Sequence, residues 1–266
     1  MIGVRWTIGD VNPRGFDALR LSLWGAWRIF GRDAGYRVYV NSVELERARD
    51  LTGIVPPAVE WRAAERELPD WLSQKLGAGM AEGVAWKFAP MRAFPEAHEI
   101  ALDNDVVLWR RPAALEQWLA GASDFVLARD VAPYFGAFES ACPEFGVNTG
   151  IRGLPPGFDL GAALRPWLER RPAPLLREVD EQGLQVATLV HAGRVATVDL
   201  EDVTICSPFP PHVPHLGRAG AHFVGLNTRR LGFEYYGRPA EAVRAEHWDA
   251  WLPELARRVQ SPESSG

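Results

Sequence analysis

The stretch His98-Glu99-Ile100-Ala101-Leu102-Asp103-Asn104-Asp105-Val106-Val107-Leu108-Trp109 decides the fold, because an apolar run stops at two aspartates and then resumes. Such runs are typical of strands buried inside a parallel sheet. An ionised carboxylate there needs a partner, since its burial costs several kcal/mol as a rough estimate. In an extended chain, residues two apart face the same side, so Asp103 and Asp105 are predicted to share one divalent cation. The carboxyl end of a strand is where open α/β sheets bind ligands, although an Asp-x-Asp triplet can also be a solvated turn.

Composition limits the classes of protein to which the chain can belong. Its 266 residues can form a sizeable core, and no stretch is apolar enough to span a bilayer. The net charge of −5 argues against a nucleic-acid partner. Cys142 and Cys206 are too few for a disulfide framework, which fits a reducing compartment. Because residues 1–10 lack the pattern of a secretory leader, we expect a cytoplasmic protein.

The order of apolar segments predicts an α/β fold. A strand over residues 2–8, a helix over 16–30 closed by Gly31, and a strand over 36–41 form a βαβ opening with a parallel pair. We predict one domain over residues 1–260 and a frayed tail over 261–266. Further predicted helices cover 84–94, 113–120, 160–170, 174–189 and 241–259; further predicted strands cover 124–129, 194–200 and 202–208; loops are expected over 131–158 and 209–220.

Three polar clusters follow the aspartates along the chain. They are Gly146-Val147-Asn148-Thr149-Gly150-Ile151, Val179-Asp180-Glu181-Gln182 and His222-Phe223-Val224-Gly225. Together with Lys87 in Trp86-Lys87-Phe88, this order resembles the retaining nucleotide-sugar glycosyltransferases of the glycogenin and bacterial lipopolysaccharide galactosyltransferase type. The resemblance covers roughly residues 2–227 and rests on the joint order of motifs that are individually weak. It implies a GT-A fold, which is a single Rossmann-like domain with a mostly parallel mixed sheet flanked by helices.

The resemblance also implies a metal-dependent hexosyltransferase. Asp103, Asp105 and His222 would bind Mn²⁺ or Mg²⁺, and the single imidazole would favour Mn²⁺. The ion would act as a Lewis acid on the departing diphosphate. The partners implied are a nucleotide-diphosphate sugar donor, with a UDP-sugar expected first, and a carbohydrate or other hydroxyl acceptor. Transfer would retain the anomeric configuration.

Other residues receive roles from the same resemblance or from their position. Lys87 would offset phosphate charge, Asn148 and Gly150 would border the sugar, and Asp180 and Gln182 would face the donor sugar or the acceptor. The family usually has a lysine three residues after the glycine of His-x-x-Gly; here that position is Thr228, with Arg229 next. The predicted catalytic residues are Asn148, Asp180 and Gln182, and the predicted donor-binding residues are Thr7, Asp10, Asn12, Lys87, Asn104, Gly150, Gly225 and Arg229.

Other interpretations remain open from the residues alone. Asn148-Thr149-Gly150 is ordinary turn chemistry, and Asp180-Glu181-Gln182 is also typical of a solvated first helical turn. The chain could be a catalytically inactive transferase-like protein that binds nucleotide. The central triplet also resembles the first motif of haloacid-dehalogenase-type phosphatases, in which Asp103 would be the nucleophile and Asp105 the acid/base.

Overall fold

A computed structural model describes the chain except for residues 65–67, 77–84, 171–173, 207–214, 228–231, 236 and 261–266. Arg229 and the predicted frayed tail over 261–266 therefore lie outside the described residues, as does the first half (209–214) of the predicted loop over 209–220. The division into one domain and a tail stays a prediction.

The predicted βαβ opening is confirmed. Strand β1 (Ile2–Ile8) pairs in parallel with β2 (Gly35–Val40), and helix α1 (Pro13–Phe30) connects them. Asn12 caps this helix by accepting a hydrogen bond from the Arg14 N–H, and proline at the first helical position loses no intrahelical bond. Gly31 ends the helix at a φ of 72°, a left-handed conformation that glycine adopts without strain.

A mixed sheet of seven strands forms the scaffold, as predicted. The order is β3-β2-β1-β4-β7-β6-β8, and only β7 runs antiparallel to its neighbours β4 and β6. Apolar residues of the central strands are fully buried against the flanking helices. The other strands are β3 (Val59–Ala63), β4 (His98–Leu102), β6 (Phe125–Arg129), β7 (Val147–Leu154) and β8 (Val195–Val198), and the helices around the sheet are α2 (Leu45–Thr52), α3 (Asp70–Ser73), α4 (Ala113–Leu119), α5 (Leu160–Glu169) and α6 (Glu178–Ala192).

The apolar run of residues 98–109 does not form one interrupted strand. Its second half, β5 (Val106–Leu108), leaves the large sheet and pairs antiparallel with β10 (Gly220–His222) in a three-stranded sheet with β9 (Val203–Ile205). Helix α7 (Ala240–Gln260) and α1 bury this small sheet in a second apolar cluster. A short hairpin of β11 (Glu234–Tyr235) and β12 (Arg238–Pro239) precedes α7. The two aspartates therefore lie where the chain passes from the large sheet to the small one.

Two local predictions are wrong, and one strand was not predicted. The predicted helix over 84–94 is only a 3₁₀ turn (Ala85–Phe88) within its described part, because Pro90 cannot donate the hydrogen bond that would continue a helix. The predicted loop over 131–158 contains a 3₁₀ helix (Gly136–Ala141) and the fully buried strand β7. Strand β3 was not predicted, since its residues are largely exposed at the sheet edge and carry no apolar run.

Among the described residues, none of the helices combines the length and apolarity needed to cross a membrane.

Candidate metal centre and its surroundings

The structure brings Asp103, Asp105 and His222 together. One ligand atom from each lies within 4.8 Å of the others. Asp103 follows β4, and its carbonyl accepts a hydrogen bond from the Val106 N–H at 3.0 Å, so residues 103–106 form a tight turn. The prediction that an extended chain aligns the two aspartates is therefore wrong, although the carboxylates do converge. His222 joins them because it pairs with Val106 in the small sheet.

The donor set and the spacing fit a small divalent cation. His222 Nε2 lies 3.4 Å from an Asp105 oxygen and 4.0 Å from an Asp103 oxygen. An octahedral ion with ligands at about 2.1 Å places neighbouring ligand atoms about 3 Å apart and opposite ones about 4 Å apart. Two carboxylates and one imidazole suit Mn²⁺ and also Mg²⁺. The side chains of Asp105 and His222 are 6% and 8% exposed, whereas that of Asp103 is 26% exposed, which leaves one side open to a ligand.

His222 is positioned by a glycine in the neighbouring strand. A Cβ on Gly150 would lie 2.7 Å from Nδ1 of His222, which is closer than real contacts allow. The Gly150 carbonyl also accepts the Asp103 N–H at 2.9 Å. Burial alone would lower the pKa of His222, but the carboxylates of Asp105 and Asp103 outweigh it, so its pKa is raised. The absence of a side chain at Gly150 therefore leaves room for the imidazole beside the two carboxylates.

Asp105 is supported by a pair of asparagines. Asn227 Nδ2 donates to Asp105 Oδ2 at 3.3 Å and to Asn104 Oδ1 at 2.8 Å, and Asn104 Nδ2 returns a 2.8 Å bond to Asn227 Oδ1. Asn104 also donates to the Gly15 carbonyl at 3.0 Å, which ties the turn to α1. The side-chain amide of Asn104 is thus hydrogen-bonded to Gly15 and Asn227 of the protein itself. Sequence reasoning missed Asn227, which lies only two residues after Gly225.

Lys87 meets Asp103 directly. Its Nζ lies 2.8 and 3.1 Å from the two carboxylate oxygens of Asp103. Burial alone would lower the pKa of Lys87, but the carboxylates of Asp103, Glu181 and Asp105 outweigh it and raise the pKa. Lys87 therefore remains charged at neutral pH, beside the candidate metal ligands.

Asn148 lies in β7 and not in a loop. Its amide nitrogen donates to the Arg129 carbonyl and to Asp130 Oδ2, both at 3.2 Å, while its oxygen accepts the Gly150 N–H at 2.9 Å. The side chain is therefore held beside the residue that admits His222. Asp130, an acid that was not predicted to belong to the site, is joined to the same region by its bond to Asn148.

The polar side chains at the start of α6 point in different directions and have different partners. Both carboxylate oxygens of Asp180 accept backbone N–H groups, from Ala137 at 2.9 Å and from residues 176 and 177 at 2.9 and 3.0 Å. Gln182 donates to the Tyr134 carbonyl at 2.8 Å. Asp180 thus joins the start of α6 to the segment that precedes β7, and Gln182 binds a neighbouring loop.

Glu181, between them, is the residue that sequence reasoning passed over. It is 2% exposed, and its carboxylate accepts a hydrogen bond from Gln185, whose own oxygen accepts one from Arg152 of β7. Burial raises the pKa of Glu181 to about 7, and Lys87 opposes that effect. A sequence signal did exist, because Glu181 and Gln185 are four residues apart and therefore lie on the same face of a helix.

The remaining predicted donor-binding residues differ in how far they are already bound to other groups of the protein. Thr7 lines a cavity of about 20 Å³ together with Lys87, Asp103, Thr149 and Gln185. Asp10 is exposed beyond the end of β1. Asn12 is engaged as the cap of α1 and also donates to the Leu226 carbonyl, and Gly225 provides a turn at a φ of 78° while its carbonyl binds Arg244.

No protein-family model matches the chain, and no curated protein matches it in sequence. Solved structures do match. The galactosyltransferase LgtC, solved in complex with donor and acceptor sugar analogs, gives a TM-score of 0.54 at 11% identity over 93% of this chain and 95% of that chain. The apo bifunctional glycosyltransferase WbbM gives 0.54 at 15% identity; the match covers 98% of this chain and 52% of WbbM. Mouse xyloside xylosyltransferase 1 in its apo form gives 0.52 at 14% identity over 77% and 88% of the two chains.

These neighbours define the fold. The mixed seven-stranded sheet flanked by helices is the GT-A fold of glycosyltransferases, as predicted. At identities of 11–15% the shared feature is the fold. The chemistry has to be argued from this chain's own residues.

Proposed function

We propose that the protein transfers a sugar, with retention, from a nucleotide-diphosphate donor to a hydroxyl acceptor and requires a divalent cation. One observation carries the proposal: two carboxylates from the turn after β4 and an imidazole from the small sheet converge within 4.8 Å in a GT-A fold. Asp103, Asp105 and His222 would hold Mn²⁺ or Mg²⁺, which when bound supplies Lewis acidity toward the diphosphate leaving group.

Residues around the centre support a phosphorylated donor. Lys87 brings a permanent positive charge to Asp103, where it can offset phosphate charge. Thr7 contributes a hydroxyl to the wall of the same cavity, and Asp10 lies at the end of the first strand, where the ribose or base of UDP would be bound. Arg229 follows the His-x-x-Gly motif and is proposed as a second phosphate contact in place of the usual lysine.

Calorimetry against UDP, GDP and dTDP, each with and without Mn²⁺, tests the proposal. We expect one nucleotide to bind in a Mn²⁺-dependent manner, with binding lost in Asp105→Asn. The matched control is Asp249→Asn, which removes an exposed carboxylate paired with Arg14 on the surface. Nucleotide affinity that depends neither on Mn²⁺ nor on Asp105 would contradict the proposed site.

Product assays separate the transferase from its alternatives. The transferase releases nucleoside diphosphate from a nucleotide sugar when a hydroxyl acceptor is present. A catalytically inactive relative binds the nucleotide and releases nothing. A phosphatase of the haloacid-dehalogenase type instead forms an acyl phosphate on Asp103.

A further inference from the structure

Glu181 is a buried carboxylate on the inner side of α6. Its neighbours in the triplet, Asp180 and Gln182, bind backbone groups of other segments. Glu181 instead turns toward the sheet, where Gln185 links it to Arg152 of β7. A carboxylate that is 2% exposed costs free energy to desolvate, and buried acids with a shifted pKa cluster at functional sites.

The surroundings of Glu181 connect it to the metal centre. Gln185 and Arg152 share the walls of the 20 Å³ cavity with Lys87, Asp103 and Thr149, a space about large enough for one water molecule. Glu181, Asp103 and Asp105 all act electrostatically on the Lys87 ammonium. Through its bond to Gln185, the carboxylate of Glu181 therefore adjoins the cavity that Lys87 and Asp103 also line. A donor whose diphosphate is held at Asp103 and Asp105 would extend its sugar toward Glu181.

We propose that Glu181 is the nucleophile of the transfer; this inference rests on the proposed function. A carboxylate oxygen of Glu181 attacks the anomeric carbon while the bond from that carbon to the diphosphate oxygen breaks, and its electron pair leaves with the nucleoside diphosphate. The product is a glycosyl ester of Glu181. The acceptor hydroxyl then attacks the same carbon, the ester bond breaks to restore the carboxylate, and the hydroxyl proton passes to the departing diphosphate or to water. Two inversions give net retention.

The test traps the ester. Wild-type protein and Glu181→Gln are incubated with UDP-glucose or UDP-galactose and Mn²⁺ without acceptor, quenched in acid and measured by intact mass and peptide mapping. We expect wild type to gain one hexose on Glu181 and Glu181→Gln to gain none. Hydrolysis of the donor should fall at least about 1000-fold in the variant, as for loss of other nucleophiles. Glu169→Gln, which alters an exposed acid paired with Arg165, is the matched control and keeps wild-type turnover.

A second readout does not depend on accumulation of the ester. In Glu181→Ala, sodium azide should enter the vacated space and give a glycosyl azide of inverted configuration, detectable by NMR. Circular dichroism and Mn²⁺-dependent UDP binding confirm that each variant is folded and still binds the nucleotide.

The possible failures are distinguishable. If wild type binds none of the nucleoside diphosphates, the proposed function fails and this inference with it. If Glu181→Gln binds UDP and turns over the donor at the wild-type rate, or if the hexose maps to another residue, only the role of Glu181 is overturned. A wild type that hydrolyses the donor without an ester, and whose Glu181→Ala variant gives no azide product, overturns it as well.

Discussion

Replacement of Lys87 by methionine should tighten the binding of Mn²⁺ in the absence of nucleotide. In the structure, the Lys87 ammonium bonds both oxygens of Asp103, at 2.8 and 3.1 Å. The ammonium occupies lone pairs on both oxygens and repels an incoming cation, so the lysine competes with the metal ion. Methionine keeps most of the side-chain volume and removes only the charge and the hydrogen bonds.

The magnitude follows from the exposure of the pair. Its side chains are 31% and 26% exposed, which places the interaction between a surface ion pair of about 0–1 kcal/mol and a charged hydrogen bond of about 1.5–3 kcal/mol. We take about 1–2 kcal/mol, which corresponds to Mn²⁺ binding tighter by about 5- to 30-fold. At saturating Mn²⁺ we expect UDP to bind more weakly to the variant than to wild type, because the variant lacks a positive charge that offsets the phosphate charge.

Electron paramagnetic resonance of free Mn²⁺ measures the first effect, and calorimetry with UDP measures the second. Lys75→Met, which removes the chain's other lysine, is the control for loss of one positive charge. Mn²⁺ affinity that is unchanged or weaker in Lys87→Met would refute the competition between lysine and metal.

Three further predictions address the support of the site. Gly150→Ala should displace His222 and weaken Mn²⁺ binding at least tenfold with the fold intact, as seen by calorimetry and circular dichroism, since the new Cβ would lie 2.7 Å from the imidazole Nδ1. Asp180→Ala should lower the free energy of unfolding in urea by roughly 2–4 kcal/mol, because it strands three backbone N–H groups; an unchanged midpoint with lost turnover would instead indicate a catalytic role. Stability of the metal-free protein should decline as pH rises from about 4.5 to 7, by at most about 3 kcal/mol, because the folded state holds the proton of Glu181 up to a pKa of about 7. Glu181→Gln should flatten that decline in thermal melts, and an identical slope in both proteins would contradict it.

The opening of the fold could be predicted because its determinants are local. Residues 2–41 carry a strand pattern, a capped amphipathic helix ended by Gly31 and a second strand, and the structure has each of them. The convergence of the Asp-x-Asp pair was also predicted, but the prediction assumed an extended chain. Asp103 and Asp105 converge through a turn and a change of sheet, which depends on pairing with a segment more than 100 residues away.

Strand β7 shows where local reasoning fails. Asn148 and Gly150 are typical of turns, yet they lie in a fully buried strand that pairs with β4 and β6. The glycine is required there by the imidazole of His222 from another sheet, a contact that no sequence window contains.

At the start of α6, too, the local sequence does not determine which side chains face the candidate site. The sequence pointed to Asp180 and Gln182, but the direction of a side chain in a first helical turn depends on how the helix packs. Packing directs Asp180 to backbone amides and Glu181 to the sheet. Both acids are buried, so only their contacts distinguish them, and those contacts become visible only in three dimensions.

The most direct test of the central claim is anomalous diffraction at the manganese edge from crystals soaked with Mn²⁺ and UDP. We expect one strong peak within about 2.0–2.4 Å of an oxygen of Asp103, an oxygen of Asp105 and Nε2 of His222, with the diphosphate completing its coordination. A peak bound elsewhere, or none at these three side chains while UDP is visible, would contradict it.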